Sequence, residues 1–207
     1  MEILIYVSKI TNRLFYIIEL ILKEELGINF KFTTDKDKFL SYEGPKLHYG
    51  NHPLENENGL FQQSINLLFE RDIANQDVKI CKHNDTKAIF PVFNDKSIFS
   101  FDIFAAAFYI ITRYEEYLPH VCDQYNRFQP QDSILYKMEV IEKPIINIWA
   151  KELGEIITSK YPDIQLKKKT FKFIPTYDID AAWAYRNKGF FRTTAAFLRD
   201  ALVFNTD

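Results

Sequence analysis

The run Glu2-Ile3-Leu4-Ile5-Tyr6-Val7, then Thr11-Asn12-Arg13-Leu14 through Ile21-Leu22, then Ile28-Asn29-Phe30-Lys31-Phe32-Thr33, sets the fold class. The first six residues form a short apolar, partly β-branched run and predict a buried strand. Thr11 and Asn12 carry the side-chain oxygens that cap a helix start. Leu14, Ile17, Ile18, Ile21 and Leu22 recur at helical spacing and give the helix one apolar face. Gly27 ends it, because glycine tolerates the left-handed conformation common after a helix. Ile28 to Thr33 then reads as a second strand. Strand, helix, strand predicts an α/β domain at the N-terminus.

Outward from that unit the pattern loosens. Asp35 to Gly59 is polar and rich in Gly, Pro and Asn, so it reads mostly as loop, with a short strand possible at Lys46 to Tyr49. Leu60 to Phe69 fits either class, and Lys87 to Phe93 reads as a strand. A helix is predicted from near Ser100 to Leu118, stopped by Pro119. Phe101, Phe104 and Phe108 recur on it at packing intervals. Its second half, Arg113-Tyr114-Glu115-Glu116-Tyr117, reads as an amphipathic polar face rather than an acid/base cluster. Asp123 to Ser133 reads as irregular. Pro144 suits the first turn of a further helix reaching Lys160. Residues 163–170 are polar and lysine-rich, which places a domain boundary between a 1–165 domain and a 171–207 segment.

Composition excludes several functions. The net charge of −2 leaves no basic excess for a nucleic-acid backbone. The six glycines include no phosphate-loop or dinucleotide fingerprint. Cys81 and Cys122 form no Cys-x-x-Cys pair and read as free thiols in a reducing compartment, although sequence leaves a disulfide between them open. The N-terminus lacks a signal-peptide pattern, and the apolar stretch Leu14 to Leu22 is too short and too charged to span a bilayer. These features predict a soluble, cytoplasmic chain without a membrane span. Nothing in the sequence specifies an oligomeric state.

The chemistry concentrates in Phe171-Lys172-Phe173-Ile174-Pro175-Thr176-Tyr177-Asp178-Ile179-Asp180. Phe171 to Tyr177 reads as a strand with two carboxylates at its carboxyl end, where α/β folds carry their sites. On an extended strand, residues two apart point to one side. Two such carboxylates repel unless a cation or a shared proton relieves them. A metal on one, with the other free as a base, answers that need. The commoner role for such aspartates is a turn or a cap on the next helix, here read over Phe190 to Val203.

Thr176-Tyr177-Asp178-Ile179-Asp180 resembles the first motif of the polysaccharide deacetylase domain (NodB homology, carbohydrate esterase family 4), whose usual form is Thr-Phe/Tyr-Asp-Asp-Gly. Phe101 to Ala105, Thr112 to Tyr117 and Asn126-Arg127-Phe128 are similar to the N-terminal α/β domain that precedes this deacetylase domain in a Bacteroidetes-type bacterial family. The resemblance implies that residues 171–207 are the first strand and helix of an incomplete (β/α) barrel. It implies Asp178 as catalytic base and Asp180 as metal ligand, Ile179 standing where the second Asp is usual. It also implies a divalent metal, zinc by preference, and a polysaccharide or oligosaccharide losing N-acetyl groups. The resemblance further requires a downstream His-x-x-x-His pair, yet no histidine follows His120. A catalytic zinc usually takes three protein ligands, so this stretch alone is expected to be inactive. His48-Tyr49-Gly50-Asn51-His52 has the spacing but not the helical setting, and reads as solvated loop. His83 and His120 read as surface residues. Arg186, Lys188 and Arg192 read as charge balance. The alternative function is a non-catalytic module in which residues 1–165 bind a glycan or a protein.

Overall fold

The computed structural model describes residues 2–168, 170–178 and 189–203. The chain divides into two units, Met1–Lys168 and Lys169–Asp207.

The first unit is built on a four-stranded parallel sheet of order β2-β1-β3-β4, with β1 (Glu2–Tyr6), β2 (Asn29–Thr33), β3 (Lys46–Gly50) and β4 (Leu60–Gln63). Register pairs Ile5 with both Phe32 and Leu47, and pairs Leu47 with Leu60. Strand alternation therefore puts Ile3, Ile5, Leu47 and Tyr49 on one face and Leu4, Tyr6, Lys46 and His48 on the other.

Helix α1 (Asn12–Ile18) covers the first face. Thr11 caps it, its hydroxyl accepting from Leu14 N, as expected from sequence. The coil then widens into a π-helix, Glu19–Glu25, closed by Leu26 N donating to Ile21 O. Gly27 follows at φ +74°. The opposite face is covered by α2 (Lys36–Ser41), which the polar composition of 35–59 concealed. Asp35 starts it by accepting from Asp37 N and Lys38 N. Buried Lys46 ends it, its ammonium donating to the carbonyls of Phe39, Leu40 and Tyr42.

A hairpin of β5 (Ile80–His83) and β6 (Thr86–Ile89) turns through Asn84, at φ +49°. The strand read over 87–93 is thus half of a hairpin and stops at Ile89, before Phe90 at φ +63°. Helix α3 (Ile103–Ile111) is buried nearly all round, and Phe104 packs edge-on against Tyr49. It stops seven residues short of Leu118. Thr112 Oγ1 donates back to Phe108 O, and Arg113 turns left-handed at φ +52°, so Tyr114–Tyr117 continues only as a 3-10 turn. The short α4 (Ile134–Lys137) follows, its start held by Glu115. Helix α5 (Ile145–Lys160) matches its sequence pattern and buries Trp149 and Leu153 in the core.

In the second unit, residues 170–178 have no regular secondary structure and α6 spans Phe190–Val203.

Candidate functional site

The deacetylase-like motif is only partly within the described residues. Asp178 is exposed and extended from no strand. Asp180, the implied metal ligand, lies outside the described residues, as do Ile179, Arg186 and Lys188. The strand expected over Phe171–Tyr177 is not formed. Among the described residues no strand pairs with it, and an isolated strand leaves its N–H and C=O groups to water. Its apolar side chains stand in solvent: Phe171 is 93% exposed and Phe173 80%. Arg192 on α6 is exposed.

The histidines depart furthest from expectation. His48 is no loop residue but a buried member of β3. Its Nδ1 lies 2.7 Å from Glu57 Oε2, and both side chains are almost fully buried. Tyr6, Phe39 and Phe61 surround the ring. Glu57 also accepts from Leu54 N, so the pair ties the 51–59 loop down onto the sheet. Nε2 leans over Gly50, where a Cβ would approach it to 2.7 Å. His52 is exposed, and the His-x-x-x-His spacing makes no metal site. Among the described residues no group of three or more His, Cys, Asp or Glu could hold an ion. His83 is also more than a surface residue. Its Nε2 meets Glu152 at 2.6 Å and its ring sits edge-on to Phe101. His120 is exposed, as read, and its Nδ1 donates to Leu118 O. Both cysteines are free, and burial pushes the Cys81 thiol up.

Among the described residues the most deeply buried acid is Asp102, which the sequence placed inside a helix as one more residue. It caps α3 by accepting from Ala105 N at 3.0 Å. Its other oxygen accepts from Tyr49 Oη at 2.8 Å and Ile65 N at 2.7 Å. Burial pushes its carboxyl up to about 6, against the pull of these hydrogen bonds. Burial and the adjacent carboxylate drive the Tyr49 phenol the same way, which keeps it a donor. The signal available in sequence was an Asp directly before an apolar helix, the common N-cap pattern. Nothing there indicated its link to Tyr49, 53 residues away.

The carboxyl edge of the sheet carries one further feature. The loop from β1 to α1 and the segment after β4 border a cavity of about 400 Å³, open to solvent and lined by Lys9, Thr11, Asn12, Arg13, Glu70 and Arg71. Arg13 holds the two walls together, donating to the carbonyls of Leu67, Arg71 and Asp72.

A parallel sheet with helices on both faces, reversing its order at β1, defines an open α/β domain. The chain belongs to DUF7033, a family of unknown function that it matches over residues 3–162. No curated protein and no solved structure matches it. Among the described residues no helix is long and apolar enough to cross a membrane.

Proposed function

We propose that this chain is the N-terminal part of a metal-dependent polysaccharide deacetylase, in which a DUF7033 domain precedes the opening of the catalytic barrel. The observation that carries the reading is the Thr176-Tyr177-Asp178-Ile179-Asp180 motif, which begins 14 residues after the family match ends at residue 162. The solvent-exposed apolar run before it supports the same reading. Phe171, Phe173 and Ile174 have the composition of a barrel strand awaiting neighbours.

In this reading Asp178 takes the proton from the water that attacks the N-acetyl carbonyl. Asp180 and two histidines from elsewhere would hold a zinc ion, which polarises that carbonyl when bound. The described residues do not make that metal site. Because no histidine follows His120, the 207-residue chain alone is expected to be inactive.

The test is acetate release from N-acetylated oligosaccharides by the protein expressed from its whole reading frame, with zinc supplied. Asp178→Asn should lower the rate by about 10²–10⁴-fold, the usual contribution of a general base, with zinc content unchanged. No acetate from any substrate class would sink the catalytic reading and leave a non-catalytic module binding a glycan or a protein.

A further inference from the structure

We propose that the cavity at the carboxyl end of β1 binds the phosphate group of a small ligand. The first ground is topological. The chain leaves β1 for β2 on one side and returns to β3 on the other, so the order reverses at β1. Open α/β sheets hold ligands in the crevice outside the carboxyl ends of their strands at such a reversal. The connection leaving β1 at that end passes through Lys9 to Thr11, and Asn12 and Arg13 open α1 beside it.

The second ground is space and charge together. Three cationic side chains, Lys9, Arg13 and Arg71, share the cavity of about 400 Å³ with one carboxylate, Glu70. That excess is local, since the whole chain carries a net charge of −2. Glu70 is already engaged, accepting from Gln76 Nε2 at 2.9 Å. Among the described residues, the side chains of Lys9 and Arg71 have no hydrogen-bond or ion-pair partner.

The third ground is preorganisation. Arg13 Nη1 donates to Leu67 O at 2.9 Å, and Nη2 donates to Arg71 O at 3.2 Å and Asp72 O at 3.0 Å. Its guanidinium also lies 5.7 and 5.6 Å from the ring centroids of Phe108 and Tyr114. Arg13 therefore fixes the backbone that carries Arg71 beside the loop that carries Lys9. Two unpaired cations beside a fixed third suit a phosphate of about −1.5 to −2 charge better than a monoanionic carboxylate.

The experiment is isothermal titration of the 207-residue chain with inorganic phosphate, a hexose 1-phosphate and uridine diphosphate, with acetate as the monoanion control. At least one phosphate compound should bind more tightly than acetate. Inorganic phosphate binding as well as its esters would identify the free ion, and tighter binding of one ester would identify the ligand's body. The double variant Lys9→Gln, Arg71→Gln should weaken binding at least about tenfold, with the circular dichroism spectrum unchanged. Both substitutions are on side chains without partners, so folding should survive them. The proposal is overturned if no phosphate compound binds below about 10 mM, if acetate binds equally well, or if the double variant binds as the parent does. Because the readout is binding, the result is independent of acetate release.

Discussion

At the scale of single residues, two buried carboxylates organise this domain and neither was prominent in the sequence. Asp102 sits where α3, β3 and the segment after β4 meet, and its carboxyl is raised to about 6 by burial. In the unfolded chain an aspartate titrates near 3.9, at about the model-peptide value. Between these values the folded state binds more protons than the unfolded one, so this group's contribution is full below about pH 4 and is lost as pH rises through about 6. The expected size is on the order of 2–3 kcal/mol between pH 4 and 7. Urea unfolding across that range should show the decline, and Asp102→Asn should flatten it while lowering stability overall. An unchanged slope in the variant would remove Asp102 as its source. Glu57 is the second such residue. Glu57→Leu leaves the His48 imidazole buried without its partner and frees the loop at Leu54, and should cost about 3 kcal/mol in urea unfolding. His48 reads as a loop residue because its neighbours Gly50, Asn51 and Pro53 are turn-formers, while the apolar rings that bury it come from Tyr6, Phe39 and Phe61.

At the scale of elements, legibility followed apolar pattern. β1, α1 and α5 stood out because apolar periodicity runs through each without a break. α2 buries Phe39 alone among charged neighbours and β4 ends in two glutamines, so neither shows an apolar pattern, and their order comes from tertiary partners. Lys46 closing α2 is one such partner, and Ile98 N donating to Phe61 O on β4 is another. α3 ends early where Arg113 turns left-handed at φ +52°, and Glu115 beyond that turn reaches to Ser133 and Ile134, a contact no local pattern records. Gly27 was read correctly as a stop, and the structure adds a second demand on it. Besides φ +74°, an added Cβ would come within 2.7 Å of Lys167 Cβ. Gly27→Ala should therefore cost more than the roughly 1 kcal/mol of a left-handed alanine alone. Chemical denaturation measures this, and a smaller loss would mean that the Lys167 segment yields.

At the scale of the molecule, the α/β class was readable from the N-terminal strand-helix-strand run. The candidate site was legible only as a motif, since two carboxylates become a site only when other chain segments bring ligands to them. A chain ending at Lys168 should unfold within about 2 °C of the 207-residue protein, because the sheet and core lie within the first unit. A much lower midpoint would show that residues 169–207 stabilise that unit. Trypsin should cut first at Lys172, which is exposed and outside any helix or strand. The strand order has a further consequence, for synthesis on the ribosome. The central strand β1 is made first, yet one of its neighbours begins only at Lys46, and the helix burying Trp149 ends at Lys160. At about 5–20 residues per second, the most apolar strand spends on the order of ten seconds outside the tunnel without its complete set of partners. The growing chain must shield Ile3 to Val7 through that interval, which makes this segment the natural point of engagement for a chaperone.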